Sequence, residues 1–362
     1  MAHNLAKKTT KQTKNTKNVA AVTKTKVVDI QDEAAFASVV RDVRERPWHG
    51  KGTFVDKAMT SAEAIQLAGL DFKVEKFPVY TKVGKKEHHF EDKFSTVRTD
   101  TEDILGLVGG RYQPVQNTEA FDFFDTIVGK GAAIFETAGA LGKGETIFIT
   151  AKLPKHIKLV KDGKEDVIEQ YLFLKNSHDG SSAIVCDFTP IRVVCNNTLN
   201  MALAGKTANR IYIKHTSTAV ERLKEAHRVM GMIDTVSGYI NDVFKKMSTT
   251  KLNDTQLKEY IAAVMSPQEK MISIGDWEKH YSKKLVNLTD EIFDYAKGNA
   301  TQLLPTTAGT VFGAYNAITG YYQNMKSYDD ADEKMWSMIM SDNGTARKKT
   351  NKAFDLALSL TK

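Results

Sequence analysis

His178, Asp179, Ser181 and Ser182 fall within five consecutive residues, and Arg192, Asn196, Asn197 and Thr198 follow close behind. An imidazole, a carboxylate and hydroxyls are the components of acyl transfer, where a base activates a hydroxyl and an acid orients the base. Neighbours on a tight turn point apart, so this string cannot build a triad by itself. A hairpin turn is the plainer reading: Asp179-Gly180 supplies positive-φ geometry and the hydroxyls bond nearby backbone. Contact with a ligand such as phosphate is a third use. Arg192 sits between Ile191 and Val193, so it lies on a strand. Alternation places Arg192, Val194 and Asn196 on one face, and Ile191, Val193 and Cys195 on the other. An arginine there pairs with a carboxylate or grips a phosphate bidentately. Asn196-Asn197-Thr198 reads as the N-cap of a helix over 199–203, whose free N–H groups suit an anion.

Cys186 and Cys195 are the two cysteines. His178 and His215 are their only candidate co-ligands, and no C-x-x-C or H-x-x-x-H spacing occurs. Buried free thiols are expected, with no metal and no cofactor. Two cysteines in 362 residues also point to a reducing compartment, the cytoplasm of the cell or host. No P-loop, dinucleotide fingerprint or H-E-x-x-H is present. The glycines from Gly139 to Gly144 lack P-loop spacing and read as a turn.

The formal charge is +7 and is unevenly placed. Residues 1–28 hold seven lysines and no acid; setting these aside leaves 44 basic against 44 acidic residues. This Lys, Thr and Asn tail cannot order itself by burial. It reads either as a salt-sensitive arm for an anionic surface or as a solubilising leader. Within the body, Lys206, Arg210, Lys214, Arg222, Lys224 and Arg228 face only Glu221 and Glu225. Arg347, Lys348, Lys349 and Lys352 form a second basic cluster. Such patches with interspersed aromatics can follow a single strand while bases stack; equally, they can be solvated faces.

The elements that must hold these residues follow from periodicity. Residues 29–48 carry a helical stripe (Ala35, Phe36, Val39, Val40, Val43). Thr60-Ser-Ala-Glu63 fits a capping box. From Phe72 to about His215 the pattern is strand and turn, with hairpins at 82–86, Asp162-Gly163 and Asp179-Gly180. From Ser217 it is helical, over 219–247, 254–265, 275–297, 310–325, 331–340 and 345–360. No 18-residue apolar window or secretory h-region occurs, so no membrane is expected. The fold class is α+β: an antiparallel β-sheet core with helices (29–216), after the tail (1–28), followed by a C-terminal helical region packing on the core (217–362).

Five blocks occur in order: Val108-Gly-Gly-Arg-Tyr-Gln-Pro-Val-Gln-Asn117, Glu136-Thr-Ala-Gly-Ala-Leu141, Asn176-Ser-His-Asp-Gly-Ser-Ser182, Arg192-Val-Val-Cys-Asn-Asn-Thr-Leu199 and Gly309-Thr-Val-Phe-Gly-Ala-Tyr-Asn316. They resemble a bacterial and viral family described as phage/plasmid-like protein, a domain of unknown function. The resemblance runs from about Trp48 to the C-terminus. It implies a mobile-element gene and supplies no activity or catalytic residue.

The leading expectation is a non-enzymatic nucleic-acid-binding protein of a phage or mobile element, active in single-stranded DNA binding or strand annealing during replication or recombination. Its expected contacts are His178, Arg192, Asn196, Asn197, Lys206, Arg210, Lys214, Arg222, Arg228, Arg347 and Lys348, on a homo-oligomer. One alternative is an interaction or host-defence-blocking protein using Tyr315, Tyr321, Tyr322, Tyr328 and Trp336. Another is an enzyme built on His178, Asp179 and Arg192.

Overall fold

The computed structural model describes residues 49, 51–56, 60–128, 133–194, 197–198, 210–219, 221, 227–267 and 281–362. The tail, the 29–48 helix, Cys195, Asn196, the 199–203 helix, Lys206, Arg222 and Lys224 lie outside them.

Local signals set the first elements. Strand β1 (Thr53–Phe54) precedes helix α1 (Ser61–Leu67). Thr60 Oγ1 accepts from Glu63 N at 3.2 Å, and the Glu63 carboxylate accepts from Thr60 N at 3.3 Å, completing the capping box. Strands β2 (Val74–Val83), β3 (Lys86–Arg98) and β4 (Asp103–Gly109) form a three-stranded antiparallel sheet in that order. A two-residue loop joins β2 to β3, and Gly84 takes φ 63° at its first position.

Helix α2 (Asn117–Val128) leads into β5 (Ile134–Leu141), β6 (Thr146–Lys152), β7 (Ile157–Lys161), β8 (Lys164–Ser177), β9 (Ile184–Arg192), β10 (Asn197–Thr198) and β11 (Arg210–Ile213). With β1 they make an eight-stranded antiparallel sheet ordered β1-β5-β6-β8-β9-β10, with β7 also on β8 and β11 also on β9. Asp162 and Gly163 take φ 51° and 74° at the β7–β8 turn, and Gly180 takes φ 78° between β8 and β9. Both expected hairpins are present. One expectation is corrected. Gly139 lies inside β5, paired with Phe148, and the turn is Gly142-Lys143-Gly144-Glu145. Asn197 and Thr198 pair with Arg192 and Ile191 as β10, and the helix they were expected to cap lies outside the described residues.

The helices are α3 (His227–Thr249), α4 (Asp254–Met265), α5 (Lys283–Gly298), α6 (Val311–Gly320), α7 (Ala331–Met335) and α8 (Thr345–Ser359). The class is α+β, as the sequence pattern predicts. Two expected long helices end differently. After α6 and after α7 the chain widens into five-residue π turns, Tyr321–Met325 and Trp336–Met340. Lys326 N bonds Tyr321 O and Ser341 N bonds Trp336 O, each five residues back.

One buried apolar cluster joins sheet and helices, from Phe135, Phe148 and Phe173 to Phe244, Phe312 and Phe354. Strands β8 and β9 run through its middle, covered on both faces. Residues with even numbers on β8 face α2, α3 and the approach to α6: Asn176 donates to Val115 O, Gln170 meets Ser237, and Asp166 meets Thr306. The odd face receives the chain's last segment, through Lys175 with Met340 O.

The small sheet leans on the β8–β9 turn at Gly106. A Cβ there would lie 2.5 Å from Asp179 Cα and 2.7 Å from Asp179 O. Backbone cannot retreat as a flexible side chain can. Gly106→Ala is expected to lower stability by about 1–3 kcal/mol, read as a drop in urea midpoint; an unchanged midpoint shows that the two backbones do not meet there.

Candidate functional site

Arg192 is fully buried. Its Nε donates to both oxygens of Asp166 at 2.9 Å, and its Nη2 lies 2.8 Å from Asp166 Oδ2. Thr306 Oγ1 donates to the same Oδ2 at 2.7 Å. The guanidinium therefore ties the sheet to the loop before α6 and presents nothing to solvent. Arg192 also stands opposite Ile168, ten residues along β8 from His178, roughly 30 Å away at strand spacing. His178 and Arg192, expected together among the nucleic-acid contacts, therefore share no surface. The enzyme constellation of His178, Asp179 and Arg192 is parted by the same distance.

His178 is likewise buried. Asn117 Nδ2 donates to Leu70 O at 2.7 Å, which aims Asn117 Oδ1 at His178 Nε2, 2.7 Å away. Nε2 therefore carries the hydrogen and Nδ1 a lone pair, and that Nδ1 has no hydrogen-bond partner among the described residues. Burial, with a smaller contribution from nearby His215, lowers His178 to about 3. His215 stacks on Tyr112 at 4.8 Å; burial lowers it to about 4, and neither of its ring nitrogens finds a partner among the described residues. The serines work separately. Ser177 Oγ donates to Asp179 Oδ1 at 2.5 Å, and Ser181 N donates to that oxygen at 2.8 Å. Ser182 Oγ donates to the backbone at Ala183 O, 3.1 Å away, while the Ser181 hydroxyl pairs with Ser177 Oγ at 3.1 Å, so the hydroxyls bond within the turn and not to His178.

Arg210 and Arg347, which the sequence sets in separate clusters, converge on one carboxylate. Arg210 Nε and Nη2 each lie 2.6 Å from Asp187 Oδ2, and Arg347 Nη2 donates to it at 2.9 Å. Arg210 Nη1 also pairs with Asp342, which accepts from Tyr212 Oη at 3.1 Å. Lys175 stands close by; burial first, then the Arg210 charge, lowers its ammonium to about 8. These groups hold the segment 340–347 against β8, β9 and β11.

Lys349 and Lys352 of the second basic cluster cap a helix. Lys349 Nζ donates to the carbonyls of Val264, Met265 and Ser266 at 2.9, 3.0 and 2.8 Å, at the end of α4. Lys214 and Lys348 are exposed, Arg228 lies in the first turn of α3, and Asn197 is on β10. The tyrosines expected at an interface divide: Tyr315 and Tyr322 are core residues, while Tyr321, Tyr328 and Trp336 are half-buried. Cys186 is a buried free thiol whose ionisation burial suppresses. Among the described residues no group of three or more His, Cys, Asp or Glu is placed to hold a metal, and no helix is long and apolar enough to cross a membrane.

The strongest exposed feature was read from sequence only as a turn. Every residue from Tyr80 to Lys93 is exposed, so the end of the β2–β3 hairpin is a two-stranded ribbon in water on both faces. It projects roughly 15 Å. Tyr80, Val83 and Phe90 are 56%, 65% and 48% exposed. The Tyr80 and His89 rings pair at 5.7 Å. Lys82, Lys85 and Lys86 flank the loop against one acid, Glu87. Solvated aromatics on an unsupported ribbon make it the candidate site. The signal available in the sequence was three lysines and two ring-bearing positions around a Gly loop.

The architecture is thus an eight-stranded antiparallel sheet between helical layers, with a small three-stranded sheet that extends into a ribbon. The family model described as Domain of unknown function (DUF932) matches residues 104–358, and the chain belongs to that family. The match begins in β4, so the ribbon precedes it. No curated protein and no solved structure matches the chain.

Proposed function

We propose that this chain binds nucleic acid through the β2–β3 ribbon, with single-stranded DNA as the specific ligand, and that it serves strand binding or annealing in a phage or other mobile element. The observation that carries the reading is the ribbon itself: cations at its tip, a ring pair beside them, and no described residue packed on either face. Lysines neutralise phosphates and release counterions, and ring faces stack bases without regard to sequence. Arg192, Arg210 and Arg347 are committed to carboxylates inside the fold, so the ribbon carries the contact, with exposed Lys214 and Lys348 as further cations.

Anisotropy titration of the full chain with a single-stranded oligonucleotide at two salt concentrations tests this. Charge reversal of Lys82, Lys85 and Lys86 to glutamate is expected to weaken binding and to flatten the salt dependence by about 0.7 per lost phosphate contact. Tyr80→Ala is expected to cost about 1–3 kcal/mol for one stacked base. Absence of binding by the wild type at low salt, or full binding by the triple variant, rules the ribbon out.

A further inference from the structure

β4 is the outer strand of the three-stranded sheet, and among the described residues no strand pairs with its free edge. Its centre, Ile104-Leu-Gly-Leu-Val108, carries no charge and no proline. Ile104 and Leu107 are each 65% exposed, and Leu107 stands in register with Ser95 and Phe77, the latter 43% exposed. An open, apolar edge strand is a template for another strand, and natural proteins usually guard such edges with charge, proline or bulges; β4 has one bulged residue, Leu105, and no proline. The charges sit instead at its two ends, with opposite sign: Glu102 and Asp103 at the start, where Asp103 also holds Lys143 at 2.7 Å, and Arg111 after the end. Glu102 and Arg111 are exposed and form no ion pair with any described residue.

We infer that β4 is a homodimer edge. Two copies pair antiparallel across a two-fold axis at Leu107, which sets Arg111 of each strand opposite Asp103 of the other, beside Glu102. The occupant is a second copy because the edge is complementary to its own reverse: one antiparallel contact satisfies both ends at once, as an isologous interface requires. The two small sheets then become one of six strands, with Leu107 against Leu107 at its centre. Residues 80–93 of each copy remain free, so the pairing goes beyond the nucleic-acid reading and does not depend on it.

Light scattering on the eluting full-length chain, with no nucleic acid present, tests the pairing. The wild type is expected at twice the 40.3 kDa chain mass. Leu107→Lys and Arg111→Glu are each expected to return it to the single-chain mass. Asp103→Arg added to Arg111→Glu is expected to restore the double mass, a rescue that misfolding cannot produce. A wild type that elutes as a single chain at every concentration overturns the inference. So does a double mass retained by both Leu107→Lys and Arg111→Glu. A dimer without affinity for DNA removes the ribbon reading and leaves this one standing.

Discussion

Asp166→Ala is expected to lower the unfolding free energy by about 3–5 kcal/mol, the cost of leaving a buried charge without its partner. The Arg192 guanidinium has no exposed surface and takes three contacts from the Asp166 carboxylate. Removing that carboxylate also deprives the Thr306 hydroxyl of its acceptor. Total stability of a folded domain is about 5–15 kcal/mol, so this one change consumes a large share. Arg192→Met is expected to cost less, because it removes charge and desolvation together and keeps most of the volume. Urea denaturation of both variants checks the ordering. If Asp166→Ala stays within about 1 kcal/mol of the wild type, the pair is not the tie described. If Arg192→Met costs more than Asp166→Ala, packing rather than charge holds the loop before α6.

Acid is expected to unfold the protein well above the carboxylate range. Burial, then the Lys334 charge, lowers His49 to about 3; burial lowers His178 to about 3 and His215 to about 4. An unfolded histidine takes a proton near pH 6.5. Between that pH and the folded values, the unfolded chain binds more protons than the folded one, so stability falls as pH falls. The contribution is complete above pH 6.5 and is lost progressively toward pH 3–4. Three such groups amount to a loss on the order of 5 kcal/mol by pH 4, at 1.36 kcal/mol per unit and with allowance for relaxation. Urea midpoints from pH 7 to pH 4 measure it. A flat profile shows that the three imidazoles already carry protons in the fold. The His178→Gln variant, which cannot charge, is expected to show a shallower fall.

Short-range signals carried much of the architecture. The Thr60–Glu63 box, the Asp162-Gly163 and Asp179-Gly180 turns, and α4 over 254–265 all depend on residues within a few positions of each other, and the sequence displays them directly. The same holds for the alternation that sets Arg192 opposite Ile191 in β9. The partners of the charged residues were not legible. Arg192 finds Asp166 across 26 residues, and Arg347 finds Asp187 across 160. An arginine beside apolar neighbours reads the same whether it faces a carboxylate or a phosphate. Lys349 looked like one member of a basic patch because its helix carbonyls lie 83–85 residues away. Exposure of the ribbon was hidden for the opposite reason. Its alternation of Tyr80, Lys82, Glu87 and His89 matches any half-buried hairpin, and only the absence of packing above and below it distinguishes an arm from a sheet.

The clamp of Arg347 and Met340 on β8 and β9 also bears on how the chain reaches this state. Asp187 and Lys175 lie near the middle of the sequence, yet their partners Arg347 and Met340 are 160 and 165 residues further on. During synthesis the central strands can pair long before those partners exist. One face of the sheet then stays open there, with the two ionised groups awaiting their partners. Contacts of such span slow the search for the native state, and an open apolar sheet face is a route to association between incomplete chains. The final α-helical segment thus works as a closing latch, and the interval before it engages is when the chain most needs protection from its neighbours.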